Sequence, residues 1–442
     1  MCGIIGYLGP GNAVPILLDG LKRLEYRGYD SAGVAVLRDN KILVRRVKGK
    51  IRELDESLKA SPLEGSCGLG HTRWATHGRP SEENAHPHRD CSGTVVVVHN
   101  GIIENYGLLK EDLIREGHVF RTETDTEVIA HLIEKYLQGS LEEAVIAALK
   151  KLEGAYAVAA MSTRDPGKIV AAKTGPPAVV GLGDNEYLIS SDINPILGTT
   201  SRIVFLEDHE IAVLEKTGVR FLDFQGRPLK KRVEQLSWNP LMIEKKGFKH
   251  FMLKEIFEQP QVVRDTLQGR ISQGSGWVYL DESGLTSRAA KKVERVLIIA
   301  CGTSYHAGLA GKYFIESLAR IPVSVEYASE YRTHDLLLDP RTLVIVISQS
   351  GETADSLAAL RTIRKAGGLT LAVSNVVNST IAREAGRALY THAGPEIGVA
   401  ATKTFSAQLA ALALLALYLA QVKGKNDEEA RPTDPGFAAG PA

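Results

Sequence analysis

The chain opens with the stretch Met1-Cys2-Gly3-Ile4-Ile5-Gly6, in which a cysteine follows the initiator methionine and begins an apolar strand. Cysteine is small enough for an aminopeptidase to remove Met1, which would leave Cys2 with both a thiol and a free α-amino group. An α-amine titrates near pH ~8, so a neutral fraction can accept a proton at physiological pH. A nucleophile that carries its own base needs no separate histidine. The alternative is that Cys2 is only a small apolar residue starting a strand.

The composition is that of a soluble globular protein with two or three domains. The 442 residues are 44% hydrophobic and 24% charged, and the formal net charge is +1. This balance argues against electrostatic binding to nucleic acid or to a membrane surface, so we expect neither partner. The apolar stretch 405–422 contains polar side chains, which favours a core helix over a membrane span.

The cysteines are few and widely scattered along the chain: Cys2, Cys67, Cys91 and Cys301. This spacing matches neither a disulfide framework nor a zinc motif. The N-terminus also lacks a basic segment followed by an apolar run, so no secretory signal is expected. We therefore expect a protein of the reducing cytoplasm that binds no metal and no cofactor.

The strand and helix patterns divide the chain into four parts. Residues 2–240 mix many short strands with a few helices, which predicts stacked sheets covered by helices. Residues 241–292 predict a linker and a leading helix. Residues 293–423 alternate buried strands with helices, which predicts a parallel, doubly wound sheet. Residues 424–442 are rich in charge, proline, glycine and alanine and predict a disordered tail.

Two strand ends in the second domain combine glycine with a cluster of hydroxyl groups. They are Cys301-Gly302-Thr303-Ser304 and Ser348-Gln349-Ser350-Gly351-Glu352-Thr353, and each opens into a predicted helix. Ligands of parallel sheets bind beyond the carboxyl ends of strands, where helix N-termini offer N–H groups to anions. The pair therefore predicts a site for a small phosphate monoester. Ordinary helix capping by serine and threonine is the alternative.

A Cys2 nucleophile that attacks an amide would need an oxyanion stabiliser and anchors for an amino-acid substrate. Asn100-Gly101 offers an amide donor and an exposed N–H, although this dipeptide is also common in simple turns. Arg73 could bind a carboxylate, and Asp125, at a predicted helix start, could bind an ammonium. By composition alone, Arg73 and Asp125 would more often form surface ion pairs.

Five motifs in the first domain carry a resemblance to a known family: Met1-Cys2-Gly3-Ile4, and residues 26–33, 71–78, 99–105 and 123–127. With the two hydroxyl-rich loops and residues 396–400, they resemble the glutamine–fructose-6-phosphate aminotransferase family, collinearly from residue 1 to about 423. The resemblance implies an α/β protein whose α+β first part is an αββα-sandwich, N-terminal-nucleophile glutaminase. A doubly wound sugar-isomerase domain would follow. Another cysteine-start glutaminase is the alternative, and the hydroxyl-rich loops count against it.

The resemblance also implies a reaction and roles for single residues. Glutamine and fructose 6-phosphate would give glutamate and glucosamine 6-phosphate, the first step of hexosamine synthesis, with ammonia passing through a channel. Cys2 would be the nucleophile, with Asn100 and Gly101 holding the oxyanion. Glutamine contacts are implied at Arg27, Arg73, Trp74, Thr76, His77 and Asp125. Sugar-phosphate contacts are implied at Thr303, Ser304, Ser348, Gln349, Ser350, Thr353 and Val399.

The chain departs from the family pattern at two places. Ala401 stands where many family members have serine, so one polar sugar contact would be missing. Family members continue into a second sugar-isomerase half with acid/base residues and a Schiff-base lysine, whereas this chain ends at Ala442. The resemblance thus leaves open a synthase and a stand-alone glutaminase with a regulatory sugar-phosphate-binding domain. It also implies a homodimer formed through the isomerase domain.

Overall fold

The structure, a computed structural model, describes residues 2–25, 28–75, 77–236, 247–272, 274–331 and 338–424. The chain divides into two compact units, Met1–Glu244 (unit 1) and Lys245–Ala442 (unit 2). Two implied glutamine contacts, Arg27 and Thr76, lie outside the described residues, as does the predicted tail beyond Gly424.

Unit 1 is rich in short strands, as its repeated apolar runs predict. Its strands are β1 (Gly3–Leu8), β2 (Ser31–Arg38), β3 (Lys41–Lys48), β4 (Cys67–Arg73), β5 (His88–Arg89), β6 (Val95–Ile103), β7 (Gly154–Ser162), β8 (Lys168–Thr174), β9 (Val179–Leu182), β10 (Tyr187–Ser190), β11 (Arg202–Phe205), β12 (Glu210–Glu215), β13 (Gly218–Asp223) and β14 (Glu234–Gln235).

These strands form two antiparallel sheets among the described residues. One has the order β14-β11-β9-β10-β1-β4-β2-β3, and the other has the order β13-β12-β8-β7-β6-β5. In β6, Val96 and Val98 join the core between the sheets, while Val95 and Val97 join the core beneath the helices. A strand buried on both faces must be apolar at successive positions, which explains the unbroken valine run.

Helices cover the outer faces of both sheets. They are α1 (Ala13–Leu24), α2 (Ile51–Ala60), α3 (Tyr106–Arg115), α4 (Glu127–Tyr136) and α5 (Leu141–Leu149). Helix α1 packs on β1 and β4, and α4 packs on β6. The predicted αββα sandwich is confirmed. Strands β1, β4 and β6 carry or flank the candidate residues Cys2, Arg73 and Asn100. They lie in the two inner layers of the sandwich, β1 and β4 in one sheet and β6 in the other.

Unit 2 alternates strands with helices. The strands are β15 (Arg295–Ala300), β16 (Val323–Tyr327), β17 (Thr342–Ser348), β18 (Leu369–Ser374) and β19 (Ala388–Tyr390). The helices are α6 (Phe251–Leu267), α7 (Ser287–Lys291), α8 (Gly302–Leu318), α9 (Ala328–Tyr331), α10 (Ala354–Lys365), α11 (Thr380–Ala385) and α12 (Lys403–Val422).

The strands of unit 2 pair in parallel in the order β16-β15-β17-β18-β19, which confirms the doubly wound sheet. After β15 the chain adds β16 on one side of it. It then crosses back and adds β17, β18 and β19 on the other side. The strand order therefore reverses between β15 and β17, which is where ligands of such sheets bind. Both hydroxyl-rich loops lie at this point, because one follows β15 and the other follows β17.

Helix α12 is long and apolar enough to cross a membrane, by length and composition. More than half of it is buried, and it packs against α6 and α8. The Gln421 side-chain amide accepts from the backbone N–H of Val278 at 2.9 Å and donates to its carbonyl at 3.1 Å. Helix α12 is therefore a core element of unit 2.

Candidate functional site

The thiol of Cys2 lies against the backbone that follows strand β4. The N–H of Trp74 donates to the Cys2 Sγ at 3.2 Å, and Sγ lies 3.4 Å from the Trp74 carbonyl oxygen. Burial raises the pKa of the thiol, while the Trp74 N–H and the Arg73 guanidinium oppose that rise without cancelling it. A thiol with a raised pKa is protonated at neutral pH, so attack by Cys2 requires a base.

The side chain of Asn100 reaches the nucleophile from strand β6. Its Nδ2 donates to the Cys2 carbonyl oxygen at 3.1 Å and to the Ser191 Oγ at 2.8 Å. The Ser191 Oγ also accepts from the N–H of Ile4 at 2.8 Å, which ties β1 to the residue after β10. Asn100 is thus held beside Cys2 by a buried hydroxyl that the sequence analysis did not identify.

A buried imidazole sets the orientation of the Asn100 amide. The Nε2 of His71 lies 3.0 Å from the Asn100 Oδ1 and 2.9 Å from the carbonyl oxygen of His99. Both of these atoms are acceptors, so Nε2 must carry the proton. Burial lowers the pKa of His71 to about 3, which keeps the ring neutral. His71 therefore points the Asn100 Oδ1 away from Cys2 and leaves Nδ2 as the donor on that side.

His71 belongs to a buried histidine cluster, His71, His86, His88 and His99. The rings of His71 and His86 stack with centroids 4.1 Å apart. Two hydroxyl groups just before α4 support the other three rings: Thr126 lies 2.9 Å from His99 and 3.2 Å from His86, and Thr124 lies 3.2 Å from His88. Burial lowers the pKa of each ring. The cluster forms a neutral, hydrogen-bonded wall behind Asn100.

Gly101 occupies a position that only glycine fits. Its φ is 126°, and a Cβ there would lie 2.0 Å from the carbonyl oxygen of Ala155 on β7. Any side chain would therefore separate β6 from β7. The glycine lets β6 stay paired with β7 in this unusual backbone conformation directly after Asn100. The alternative reading of Asn100-Gly101 as a simple surface turn is wrong, because Asn100 is 5% exposed and lies within a strand.

The two candidate substrate anchors are buried, which rules out the surface ion pairs considered above. Arg73 is 3% exposed and Asp125 is 4% exposed. The Arg73 NH2 donates to the carbonyl oxygens of His77 and Gly78, and NH1 has no protein partner among the described residues. The Asp125 Oδ2 accepts from the N–H of Ile103 at 2.9 Å. Asp125 lies two residues before α4 rather than in its first turn.

The electrostatics place these groups in one neighbourhood. Burial lowers the pKa of Arg73, and the charges of Asp30, Cys2 and Asp125 counteract this effect. The segment that follows Arg73 is held in turn by Asp30, whose Oδ2 accepts from the N–H of Ala75. The Arg73 guanidinium thus lies within electrostatic range of both the Cys2 thiol and the Asp125 carboxylate.

The other two described candidates on this loop contribute in different ways. The Trp74 indole is 47% exposed and packs edge-on against Tyr29, so the nearest contact of Trp74 with Cys2 is through its backbone. The carbonyl of His77 accepts from Arg73, and its ring packs edge-on against Tyr106.

In unit 2, the loop after β17 folds back on its own hydroxyl groups. The Ser348 Oγ lies 2.9 Å from the Thr353 Oγ1 and accepts from the N–H of Gly351 at 3.0 Å. A Cβ at Gly351, whose φ is 67°, would lie 1.9 Å from the Ser379 Oγ. Gln349 and Ser350 are half-buried at the mouth of the loop. The loop presents N–H and O–H donors at the start of α10.

The first turn of α8, which follows β15 almost directly, lies beside the loop after β17, since β15 and β17 are neighbours. Thr303 is exposed, while the Ser304 Oγ is buried and accepts from the Gln408 Nε2 at 3.0 Å. Gln408 lies on α12 and was not identified from the sequence. Val399 is exposed in the segment before α12. Glu396 ties this segment to the start of α12, because it accepts from the N–H groups of Thr402 at 2.9 Å and Thr404 at 3.2 Å.

The structure brings together a group of potential metal ligands in unit 1. No metal-ligand cluster was predicted, but four side chains of unit 1 converge with one ligand atom each within 4.8 Å of the others: Cys91, His118, His131 and Glu134. They come from two loops and one helix, so their spacing along the chain matches no linear zinc motif. Of this set, only His131 and Glu134 share a helix turn.

Comparison with known proteins finds a matching family model in each unit. A family model described as "Glutamine amidotransferase domain" matches residues 71–197, and one described as "SIS domain" matches residues 290–418. A Clostridium tetani protein named glutamine–fructose-6-phosphate aminotransferase (isomerizing) is 52% identical over 97% of this chain and 70% of its own length. Proteins of the same name from Caldanaerobacter subterraneus and Aquifex aeolicus are 51% and 52% identical, over 96% and 94% of this chain and 70% and 69% of theirs.

Proposed function

Because this chain belongs to the glutamine–fructose-6-phosphate aminotransferase family, we propose that it releases ammonia from glutamine at Cys2 for transfer to fructose 6-phosphate. The products are glutamate and glucosamine 6-phosphate. The observation that carries the proposal is the Asn100 amide, which reaches Cys2 from strand β6 and is oriented by His71. A strand-starting cysteine with no chemical role would need no such donor.

Glutamine hydrolysis begins with attack of the Cys2 thiol on the side-chain amide carbon. After removal of Met1, the α-amine of Cys2 accepts the thiol proton, which the raised pKa of the thiol makes necessary. Negative charge develops on the amide oxygen, where the Asn100 Nδ2 and the Gly101 N–H stabilise it. Both hydrogens of Nδ2 have protein partners here, so the oxyanion replaces the 3.1 Å contact to the Cys2 carbonyl.

The intermediate then collapses and ammonia departs with the proton that the α-amine holds. Water hydrolyses the remaining thioester to glutamate and regenerates the thiol. Arg73 binds the glutamine α-carboxylate with its NH1, and Asp125 binds the α-ammonium. Both charged groups are buried, which strengthens their hold on a zwitterion and excludes substrates that lack either charge.

Fructose 6-phosphate binds in unit 2 at the strand-order reversal between β15 and β17. Ser348, Ser350 and Thr353 with the N-terminus of α10 receive the phosphate, since these donors satisfy an anion without a cationic side chain. Thr303 and Ser304 in the first turn of α8, Gln349, and the exposed Val399 complete the sugar site. Ala401 supplies no hydroxyl to it.

The proposal includes a cytoplasmic location and a homodimer formed through unit 2. The family resemblance supports both of these features. Light scattering of the purified chain tests the dimer.

A product assay with glutamine and fructose 6-phosphate tests the function. Glutamate and glucosamine 6-phosphate are followed separately in the same reaction. We expect glutamate from the wild-type chain and neither product from Cys2→Ala, and amino sugar formed together with glutamate would support the synthase. Glutamate without amino sugar would replace the synthase by a stand-alone glutaminase, and unchanged hydrolysis by Cys2→Ala would refute the nucleophile.

The sugar site is tested by binding of fructose 6-phosphate to Ser348→Ala and Thr353→Ala. We expect weaker binding in both, with glutamine hydrolysis retained. Thr362→Ala is the matched control, because this threonine of α10 is exposed and bonds only within its own helix. Equal affinity of all variants would remove the phosphate-loop assignment.

A further inference from the structure

We propose that unit 1 carries a structural zinc site formed by Cys91, His118, His131 and Glu134, separate from the Cys2 centre. Cys91 lies between β5 and β6, and His118 follows α3. His131 and Glu134 lie three residues apart on α4 and therefore share a face. Two loops and a helix would thus be joined at one point.

Four of the six distances between the donor atoms are close to those of a tetrahedral ion, and all six are within 4.8 Å. The Cys91 Sγ lies 3.4 Å from the His131 Nδ1 and 3.6 Å from the His118 Nδ1. The Glu134 Oε2 lies 3.2 Å from the His118 Nδ1 and 3.6 Å from the His131 Nδ1. Zinc bonds of about 2.0–2.3 Å at tetrahedral angles place neighbouring ligand atoms about 3.3–3.6 Å apart.

The groups around the cluster prepare the donors for a metal. The His131 Nε2 faces the Glu127 Oε1 at 3.6 Å, and His131 is fully buried. The separation is longer than a hydrogen bond, but the nearby Glu127 charge favours the proton on Nε2 and leaves Nδ1 as the ligand atom. Glu127 is itself fixed, because it accepts from the N–H groups of Arg121 and Thr122 at 2.8 Å each.

Backbone groups also support the thiolate and the carboxylate. The N–H of Val119 donates to the Cys91 Sγ at 3.2 Å, which fixes the position of the sulfur. The N–H of Ser92 donates to the Glu134 Oε1 at 3.3 Å, on the side away from the histidines. The Cys91 N–H points to the Oε2 at 3.4 Å. The first two bonds leave Sγ and Oε2 able to face a shared ion.

The chemical types of the four ligand atoms indicate which metal ion would bind. One thiolate, two imidazoles and one carboxylate suit Zn²⁺, whereas Mg²⁺ and Ca²⁺ prefer oxygen ligands alone. Four protein ligands fill a tetrahedral shell and leave no position for substrate, so the role is structural. Helix α4 begins two residues after Asp125, so zinc would fix the helix that positions this proposed ammonium anchor.

The test measures zinc in the purified full-length chain and in single variants. We expect one Zn²⁺ per wild-type chain after gel filtration, by elemental analysis, and a loss to near zero in Cys91→Ser and Glu134→Gln. Cys301→Ser, a half-buried thiol of unit 2, is the matched control and should keep its zinc. Cys2→Ala should keep it as well, which separates this site from binding at the nucleophile.

Two further measurements distinguish loss of the zinc site from misfolding of a variant. Co²⁺ in place of zinc should give the intense visible bands of a tetrahedral thiolate site in the wild type and in Cys301→Ser, but not in Cys91→Ser of unchanged circular dichroism. Saturating Zn²⁺ should raise the unfolding midpoint of the metal-free wild type by about 5–10 °C. Absence of zinc and of cobalt bands in the wild type would overturn the proposal and leave a hydrogen-bonded cluster. Equal zinc in Cys91→Ser would also overturn it.

Discussion

Replacement of Asn100 by alanine tests whether its side-chain amide stabilises the oxyanion or only supports the fold. The side chain makes three hydrogen bonds, to the Cys2 carbonyl, the Ser191 hydroxyl and the His71 imidazole. Removal of one oxyanion donor lowers kcat by about 10²–10³-fold, or roughly 3–4 kcal/mol of transition-state stabilisation. The loss of three buried hydrogen bonds costs a further ~2–4 kcal/mol of folding free energy. We therefore expect a folded but nearly inactive glutaminase.

The assay is glutamate release at saturating glutamine, with folding followed by denaturant titration. KM should change little, because the developing oxyanion exists only in the transition state. Asn105→Ala is the matched control: its amide makes two backbone hydrogen bonds, to Lys151 and Glu153, and does not contact Cys2. It should lose stability and keep kcat. A kcat for Asn100→Ala within about threefold of wild type would refute the assignment.

Two more perturbations test the surroundings of this site. Arg73→Lys should raise KM for glutamine by about 10–100-fold with a smaller effect on kcat, because charge-assisted bonds to a carboxylate contribute about 1.5–3 kcal/mol in ground and transition states alike. An unchanged KM would exclude Arg73 as the carboxylate anchor. The buried histidine cluster should make folding sensitive to acid, since burial depresses the pKa of His71 and His88 to about 3 from 6.5. A depressed pKa means that the unfolded chain binds more protons, so stability is full above pH 6.5 and falls toward pH 3, by ~1.4 kcal/mol per pH unit for each such histidine. Denaturant titrations between pH 7 and 5 that give one constant midpoint would contradict this.

The order of elements followed from the sequence because local patterns carry it. The two hydroxyl-rich loops could be placed at strand ends, since each interrupts an apolar run and opens a helix. The hairpin of β2 and β3 turns at Asp39-Asn40, a pair of residue types common in tight turns, and both adopt positive φ values, of 48° and 57°. The candidate residues Cys2, Asn100 and Gly101 were also identifiable, because their chemistry depends on residue type and on neighbours in the chain.

Other features depended on contacts between distant residues, which no local pattern encodes. Ser191 supports Asn100 across 91 residues, and Gln408 supports Ser304 across 104. Neither residue is distinguished by its own flanking sequence. Arg73 and Asp125 were as compatible with the surface as with the interior until the sheets closed over them.

The sequence by itself determined that Cys2 could be a nucleophile and that two strand ends could bind an anion, because these properties belong to side chains and their immediate neighbours. Only the tertiary structure decided how Asn100 is aimed, because its orientation depends on a proton of His71 on another strand. The same holds for the four converging donors around Cys91. Their geometry depends on how two loops and α4 meet, and the spacing of residues along a chain does not report distances in the folded molecule.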